Sequence, residues 1–328
     1  MTRRIPTLDI VIVNWNSGDY LRDCLASIPA SLADDFALAR VVVVDNASTD
    51  AGLRSAQAAR SCLPLDIIAN DTNAGFAKGC NQGALLSKAD YILFLNPDTR
   101  LFPQSLSTPL RHMEEAAGEK VGIVSVKTLG ADGNVKPSCA RFPRPAHFLA
   151  RSLGIDTLFP GSGLSSLMTE WSYTEDRDVD QVIGAFFLIR RALFEALGGF
   201  DERYFVYFEE VDLSLRAARL GWKSRFLAGA GIFHAGGGSS SLARPQRLYY
   251  SLRSRLIYSA THFPAASHIA VSVATLCVEF ATRLVFSLVT LSPERLAETL
   301  GGYARAWTHL PDIIHEGRAD FRSALKAR

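Results

Sequence analysis

The first 120 residues alternate short, continuous apolar runs with segments that have the periodicity of helices. The apolar runs predict strands at Ile10–Val13, Val41–Val44, Asp66–Ala69 and Tyr91–Leu95. The segments between them predict helices at Tyr20–Ile28, Ala51–Cys62 and near Lys78–Lys88. Unbroken apolar strands separated by helices are typical of a mostly parallel sheet that is buried on both faces. We therefore predict an α/β fold with a mostly parallel central sheet flanked by helices.

Residues 121–245 are less regular, and several prolines interrupt the part before residue 173. We predict a strand near Val121–Val126, followed by a loop that covers the site and faces the acceptor. The remaining pattern predicts a buried strand at Val182–Ile189, a helix at Arg190–Leu197, a helix at Asp212–Leu220 and a strand at Trp222–Leu227. Gly198 and Gly199 follow the first of these helices, as glycine commonly does at a helix C-terminus.

From Leu248 onward the pattern predicts helices that are rich in arginine. The chain has a net charge of +2, but the part from Arg244 holds 11 Lys and Arg residues against 6 Asp and Glu. Pro264–Leu291 is long and apolar, although Glu279 and Arg283 interrupt it. Because charges are costly inside a bilayer, we favour an amphipathic helix that lies in a membrane interface or packs on the main domain.

The composition narrows the class of protein. With 48% hydrophobic and 21% charged residues, the chain is globular, and its small net charge argues against a nucleic-acid partner. The five cysteines are scattered and form no C-x-x-C pair, which indicates free thiols in a reducing compartment. The apolar run Ile10–Val13 is too short for the core of a signal peptide. We therefore expect a cytoplasmic protein.

Small polar or acidic residues follow four successive predicted strands. In parallel sheets, ligands bind at the carboxyl ends of the strands, so these residues should converge. They are Asn14 and Asn16, then Asp45 and Asn46, then Asn73, Gly75, Phe76, Lys78 and Asn81, and finally Asn96 and Asp98. Asp45 is placed either to accept a hydrogen bond from a base or ribose, or simply to open a turn. Gly75 and Lys78, at the start of a helix, would let a phosphate approach the backbone.

Two further groups carry candidate chemistry. Asp98, after a rigid Asn-Pro turn, could supply an oxygen ligand to a hard cation that bridges phosphates, and His234 precedes a glycine-serine stretch at Gly236–Ser241. Three carboxylates, Glu209, Glu210 and Asp212, follow a run of aromatic residues. Acids beside apolar rings can have a pKa high enough for proton transfer near neutral pH, but acids are also common in the first turn of a helix.

These motifs, in this order, resemble the family-2 inverting glycosyltransferases of the GT-A fold, and within them the bacterial rhamnosyltransferase group. The motifs that carry the resemblance are Val13–Asn16, Val44–Asp50, Asn73–Asn81, Leu95–Asp98, Gly184–Phe186, Gly199–Glu202, Phe208–Leu213 and Phe233-His234. The resemblance implies a GT-A catalytic domain at 1–245, with a nucleotide-sugar half at about 1–120 and an acceptor half at about 121–245. A basic, helical C-terminal extension follows at 246–328.

The resemblance also implies roles for single residues. Asp45 would read the nucleotide base, and Asp98 would be the metal-binding end of a D-x-D-type motif whose first acid is replaced here by Asn96. His234 matches the histidine that helps to hold metal and diphosphate, and the implied metal is Mg²⁺ or Mn²⁺. Glu210 matches the general base, with Glu209 as its close rival, and Glu209 or Asp212 would support the base.

The implied reaction is a single displacement in which an acceptor hydroxyl attacks the sugar of a nucleoside-diphosphate donor. The first candidate donor is dTDP-rhamnose, with galactofuranose or an N-acetylhexosamine on a UDP carrier as the alternatives. The expected acceptor is a glycan, free or polyprenyl-linked, at the inner face of the membrane. Whether the chain forms a homodimer is left open. A non-catalytic sugar-nucleotide-binding module, a nucleotidyltransferase and a membrane-embedded synthase are the competing classes.

Overall fold

The computed structural model describes residues 4–115, 120–159, 162–236 and 244–319. The chain forms two compact units. The first unit contains Met1–Ala140, Ser172–Phe200 and Glu210–Ser239, and the second contains Arg141–Trp171, Asp201–Glu209 and Ser240–Arg328. Two segments of the second unit thus precede residue 245, and the predicted boundary there stays a prediction. From residue 237, the predicted glycine-serine stretch lies outside the described residues.

The first unit is built on one large mixed sheet and a small two-stranded one. Its strands are β1 (Thr7–Asn14), β2 (Ala37–Asp45), β3 (Leu65–Ala69), β4 (Tyr91–Leu95), β5 (Thr99–Leu101), β6 (Val121–Leu129), β7 (Val135–Lys136), β8 (Cys139–Ala140), β9 (Arg177–Val179), β10 (Gln181–Val182), β11 (Phe186–Arg190) and β12 (Lys223–His234). The large sheet has the order β3-β2-β1-β4-β11-β6-β12-β5, with β7 and β9 paired at its side.

The strand order confirms the predicted sheet. Strands β3, β2, β1 and β4 are all parallel, and β12 runs parallel to β6, whereas β11 is antiparallel to both of its neighbours. In the register of the sheet, Asn14 pairs with Asp45, so the polar residues after β1 and β2 lie side by side. The sheet therefore brings these two loops to one edge, as parallel topology requires.

Helices flank the sheet and form most of the second unit. They are α1 (Asp19–Ser27), α2 (Gly52–Ala59), α3 (Phe76–Ala84), α4 (Ser107–Glu115), α5 (Pro145–Ser152), α6 (Ile155–Leu158), α7 (Arg191–Ala196), α8 (Glu209–Arg219), α9 (Arg244–His262), α10 (Ala265–Val273), α11 (Glu279–Val289), α12 (Pro293–Thr308) and α13 (Leu310–Arg318). The loop predicted after Val126 is wrong in part, because β6 extends to Leu129 and α5 and α6 follow. Pro145 is the first residue of α5. Proline is tolerated at this position because the backbone N–H that it lacks would have no partner within the helix.

The core of the first unit explains why these strands form. Val41, Val42, Val43 and Val44 are all fully buried, since helices cover both faces of β2. Close packing of α3 on β1 also requires glycine. A Cβ atom on Gly83 would lie 2.4 Å from a methyl carbon of Val11. The helix α3, which contains most of the Asn73–Asn81 motif, is thereby fixed against the central strands.

The helices of the second unit pack around an apolar cluster and a buried ion pair. Leu248, Leu252, Tyr303 and Ala306 form the cluster between α9 and α12. The helical extension predicted from the sequence is confirmed. α10 continues through a π-helical turn at Ala274–Val278 into α11.

Candidate active site

Asn14 and Asp45, which follow the first two strands, are joined by a hydrogen bond. The Nδ2 atom of Asn14 donates to Oδ1 of Asp45 at 2.6 Å and to Oγ of Ser48 at 3.0 Å, while the backbone N–H of Ser48 donates to Asp45 Oδ2 at 3.0 Å. Both Asn14 and Asp45 are buried. The carboxylate of Asp45 therefore shapes the loop after β2, and its role in reading a base stays a prediction. Among the described residues, Oδ1 of Asn14 has no hydrogen-bond partner, which leaves one buried acceptor at this position.

The loops after β1 and β2 are joined by further hydrogen bonds. Oδ1 of Asn16 accepts from the backbone N–H of Thr49 at 2.8 Å, and its own N–H donates to Ser48 Oγ at 2.9 Å. Oδ2 of Asp50 accepts from the N–H of Gly18 at 2.7 Å. Asn16 has a left-handed φ of 50°, which asparagine tolerates better than most residues. The predicted site residue Asn16 thus holds the two loops in one shape.

The motif after β3 is tied to the same region. Nδ2 of Asn46 donates to the carbonyl of Gly75 at 3.0 Å, and Oδ1 of Asn73 accepts from the N–H of Gly75 at 3.0 Å. Gly75 has a φ of 89° directly before α3, a conformation that favours glycine. Phe76 is partly buried in the first turn of α3, and Lys78 is exposed. The structure thus brings Asn46 and Gly75 together and leaves the ammonium group of Lys78 at the surface.

Asn81 uses both ends of its amide to hold a distant turn. Its Nδ2 donates to the carbonyl of Phe200 at 2.8 Å, and its Oδ1 accepts from the N–H of Phe200 at 2.9 Å. The preceding residue, Gly199, has a φ of 77°, and a Cβ atom there would lie 2.7 Å from Asn81 Oδ1. This contact assigns Asn81 a positioning task. Its predicted part in nucleotide binding stays a prediction.

Asp98 and His234 lie together, as the resemblance implied. The Nε2 atom of His234 is 3.1 Å from Oδ1 of Asp98, and both side chains are mostly buried. The N–H of Ala235 donates to the carbonyl of Asp98 at 3.0 Å, and His234 pairs with Thr99 between β12 and β5. Asn96, at the start of this loop, is partly exposed, and its N–H donates to the carbonyl of Ala185 at 3.1 Å.

The Asp98–His234 pair fits a divalent cation that takes only part of its shell from the protein. A carboxylate oxygen and an imidazole nitrogen converge here, and Mg²⁺ or Mn²⁺ at nucleotide sites completes its shell with phosphate oxygens and water. Within residues 4–115, 120–159, 162–236 and 244–319, no group of three or more His, Cys, Asp and Glu side chains could hold a metal. Any metal here would thus depend on its nucleotide for further ligands.

The acidic cluster begins α8. Tyr207 and Phe208, directly before it, have left-handed φ angles of 69° and 71°, which non-glycine residues seldom adopt. Glu209 is buried. Burial raises the pKa of Glu210 to about 7, against smaller opposing hydrogen bonds from the backbone N–H groups of Glu210 and Val211. Among the described residues, the buried Oε2 atom of Glu210 has no hydrogen-bond partner. A general base near neutral pH needs a carboxyl of this kind, and the role of Glu210 as the base stays a prediction.

Asp212 is engaged in the framework of the first unit. Its Oδ2 accepts from Nε of Arg216 at 2.7 Å, and the same guanidinium donates to the carbonyls of Leu197 and Gly199 at 2.7 and 2.9 Å. The Asp212 and Arg216 side chains are both largely buried. Asp212 thus fixes α8 to the turn after α7, and its part in catalysis stays a prediction.

His234 also lines a cavity of about 550 Å³ in the first unit. The same cavity is lined by Asp132, Lys136, Ser138 and Ala185. Its volume lies in the range of small-molecule sites. The sequence pattern missed Lys136 and Ser138 because they lie in the irregular stretch after β6. The Asp-Gly turn before Lys136 was the one signal of a hairpin there.

The comparisons with known proteins define the class. Residues 9–198 match the family described as "Glycosyl transferase family 2". The chain therefore belongs to glycosyltransferase family 2, and it is a glycosyltransferase that binds a nucleotide-sugar donor.

The similar proteins of known activity include rhamnosyltransferases. The N-acetylglucosaminyl-diphospho-decaprenol L-rhamnosyltransferase of Mycobacterium tuberculosis is 29% identical over 242 residues, which cover 69% of this chain and 75% of that protein. The rhamnosyltransferase WbbL of Escherichia coli K12 is 29% identical over 238 residues, which cover 69% of this chain and 81% of that protein. The resemblance to the rhamnosyltransferase group is thus confirmed.

Solved structures confirm the GT-A fold. The mannosyltransferase PcManGT of Pyrobaculum calidifontis, solved with GDP-Man and Mn²⁺, has a TM-score of 0.54 at 16% identity, with 96% of this chain and 86% of that chain covered. TarS 1-349 of S. aureus, solved with UDP-GlcNAc, has a TM-score of 0.52 at 18% identity, with 90% and 79% covered. At these identities the similarity shows the fold alone.

Proposed function

We propose that the enzyme transfers rhamnose, with inversion, from a thymidine-diphosphate carrier to a hydroxyl of a polyprenyl-linked glycan. The observation that carries the proposed mechanism is the Glu210 carboxyl, which has a pKa raised to about 7 by burial and one buried oxygen without a partner among the described residues. The choice of rhamnose and of a lipid-linked acceptor is supported by the names of the two similar rhamnosyltransferases, one of which specifies a diphospho-decaprenol.

The proposed step is a single displacement. Glu210 takes the proton of the acceptor hydroxyl while the acceptor oxygen forms a bond to the anomeric carbon. The bond from that carbon to the diphosphate oxygen breaks, and the leaving nucleoside diphosphate takes the electron pair. Because attack and departure occur on opposite faces of the sugar, the anomeric configuration inverts. Proton removal by a positioned carboxylate typically contributes about 10²–10⁴-fold to the rate.

The other predicted residues would serve the donor. Asn14, Asp45 and Asn46 shape the loops where the nucleoside is proposed to bind. Asp98 and His234 would hold Mg²⁺ or Mn²⁺, which, when bound, neutralises charge on the diphosphate. The pair's geometry and the Mn²⁺ in a solved structure of the same fold support this assignment. The proposed location is the cytoplasm, at the inner face of the membrane.

A donor and acceptor panel tests this proposal. The purified protein is incubated with dTDP-rhamnose, UDP-galactofuranose or UDP-N-acetylglucosamine and a short polyprenyl-diphosphate-linked N-acetylglucosamine. Release of nucleoside diphosphate and the anomeric configuration of the product by NMR are measured. We expect turnover with dTDP-rhamnose and an inverted product. Turnover with a UDP-sugar but not with dTDP-rhamnose would contradict the donor assignment. A product with retained anomeric configuration would contradict the mechanism.

A further inference from the structure

The helix from Ala265 to Val289 in the second unit exposes apolar residues and buries a charged one, unlike an ordinary surface helix. Surface helices usually turn charged residues outward and apolar residues inward. Here Glu279 is buried, whereas Ile269, Val273, Val285 and Val289 are each more than half exposed. The helix is also long and apolar enough, by length and composition, to cross a membrane, yet only 22% of its most apolar window is buried. An apolar stripe of this length on the outside of a folded unit calls for a partner.

The π-helical turn keeps this stripe on one side. Val273, Cys277, Ala281 and Val285 are all exposed at steps of four residues. In a regular α-helix each such step rotates the side chain by about 40°, so the stripe would turn by about 120° over these residues. The π-helical turn at Ala274–Val278 accommodates one extra residue and offsets most of that rotation. The exposed apolar positions therefore form a continuous face.

The carboxylate of this helix forms ion pairs inside the second unit. The carboxylate of Glu279 pairs with Arg255 of α9, and its Oε1 lies 3.0 Å from Nε of Arg283. Although burial alone would raise the pKa of Glu279, these two arginines lower it to about 2. The hydroxyl of Tyr303 donates to the carbonyl of Thr275 at 3.0 Å on the same inner side. The exposed stripe is thereby left free of carboxylates.

Neighbouring elements enlarge the apolar face and give it a cationic edge. α5 packs beside the helix, and the loop at Gly154 approaches Thr282. Leu158 and Phe159, just beyond this loop, are largely exposed. At the end of the stripe, the guanidinium of Arg295 lies 5.0 Å from the centre of the half-exposed Phe286 ring. A guanidinium held over an aromatic ring at the end of an apolar stripe presents positive charge beside apolar surface, which suits the headgroup region of an anionic bilayer.

We propose that this apolar face docks on an anionic lipid bilayer, with the 265–289 helix lying in the plane of the interface. The basic C-terminal region and the cationic edge match the charge of such a membrane. A spanning helix fits less well, because α9 and α12 pack on its inner side and α12 carries Glu294, Glu298 and Arg305. A second copy fits less well too, because the net positive charge of the C-terminal region matches an anionic surface better than another copy of the same basic region. The inference concerns where the enzyme works and does not depend on the donor assignment.

Vesicle sedimentation of the full chain tests this inference. The wild type is mixed with phosphatidylcholine vesicles with and without phosphatidylglycerol. The test variant is Val273→Gln/Val285→Gln/Val289→Gln, and the matched control is Leu85→Gln/Leu220→Gln, at exposed apolar positions of the first unit. We expect the wild type and the control to bind anionic vesicles, and the test variant to bind at least about tenfold less. Arg295→Gln should remove part of the preference for the anionic vesicles.

Several outcomes would overturn the inference. Failure of the wild type to bind vesicles, or equal binding by the test variant, would do so. Resistance of the bound protein to alkaline carbonate would indicate a spanning helix instead. Light scattering without lipid gives the oligomeric state. A dimeric wild type together with a monomeric test variant would assign the face to a second copy. Circular dichroism melting and nucleotide-sugar binding should be unchanged in the test variant, which separates this result from a failure of the proposed function.

Discussion

The imidazole of His234 lies against the carboxylate of Asp98, with Nε2 and Oδ1 3.1 Å apart. Asp98 comes from the loop after β4 and His234 from the end of β12, and the N–H of Ala235 fastens the two segments together. Two metal ligands that are held in place by separate segments of the fold lose little conformational entropy when a cation binds between them. We therefore expect a divalent cation to bind at this pair and to raise the affinity of the protein for the nucleotide.

Removal of metal should weaken binding of the nucleoside diphosphate. Calorimetric titrations with Mg²⁺ or Mn²⁺ and with EDTA measure this directly. We expect at least about tenfold weaker binding in EDTA, because the cation neutralises diphosphate charge that the protein alone does not. Asp98→Asn should weaken binding in Mn²⁺ but have little effect in EDTA. Asp132→Asn, at another acid of the His234 cavity, is the control, and equal affinities in metal and EDTA would contradict the assignment.

Gly199 should tolerate no side chain. Gly199→Ala places a Cβ atom 2.7 Å from Oδ1 of Asn81 at a φ of 77°. We expect a loss of about 1–3 kcal/mol in unfolding free energy and slower transfer, because the turn that Asn81 holds must shift. Gly133→Ala is the matched control, with a φ of 74° and no atom within 4 Å of its Cβ. Chemical denaturation of both variants separates the clash from the backbone strain, and equal losses would argue against the Asn81 contact.

The buried pair Asp212–Arg216 should contribute to stability, unlike an exposed pair of the same geometry. Asp212→Asn removes the negative charge beside a largely buried guanidinium, so we expect a loss of about 3–5 kcal/mol in unfolding free energy. Asp132 and Lys136 have the same four-residue spacing and the same 2.7 Å distance, but both are half-exposed. Asp132→Asn should therefore leave the denaturation midpoint unchanged. A similar small effect of both substitutions would show that Asp212 has no structural task.

Much of the fold follows from local patterns. Val41–Val44 form a strand because β-branched side chains favour an extended backbone and a sheet covered on both faces buries all four of them, and this was predictable from the sequence. β5 was missed because three residues carry too little periodicity. The pattern does not predict α5, because Pro145 is one of the prolines that interrupt this stretch, yet it occupies the first helical position, where proline is tolerated.

The site was predictable in its motifs and less so in its contacts. The proximity of Asp98 and His234 was inferred from the resemblance, but nothing local shows that Asn81 would bind the backbone of Phe200 or that Asp212 would face Arg216. Such contacts join residues that only the tertiary fold brings together. The inward direction of Glu279 belongs to the same kind of information, since sequence periodicity shows that a charge interrupts an apolar helix but not which side it faces.

Glu279 should stabilise the second unit in a pH-dependent way. Its pKa is lowered to about 2 in the folded protein, below the ordinary value of 4.5. Its contribution is thus fully present above pH 4.5 and is lost as pH falls toward 2. Glu279→Gln leaves Arg255 without its main partner and should cost about 3–5 kcal/mol at pH 7. Denaturation at pH 7 and pH 3 should show a smaller difference between wild type and variant at pH 3. A difference independent of pH would contradict the ion pair.

The central claim is that Glu210 is the base, and transfer by Glu210→Gln is its most direct test. The substitution keeps the size of the side chain but removes proton acceptance, while Glu209→Gln serves as the neighbouring control. With a pKa of about 7, wild-type kcat/KM should rise with pH up to about 7 and then level off, because only the ionised carboxylate accepts the proton.

Sugar transfer and nucleotide binding should be measured side by side for both variants. The account predicts that Glu210→Gln lowers kcat by at least about 10²-fold with nucleotide affinity unchanged, whereas Glu209→Gln keeps most of its activity. Wild-type turnover by Glu210→Gln, or a larger loss in Glu209→Gln, would contradict it.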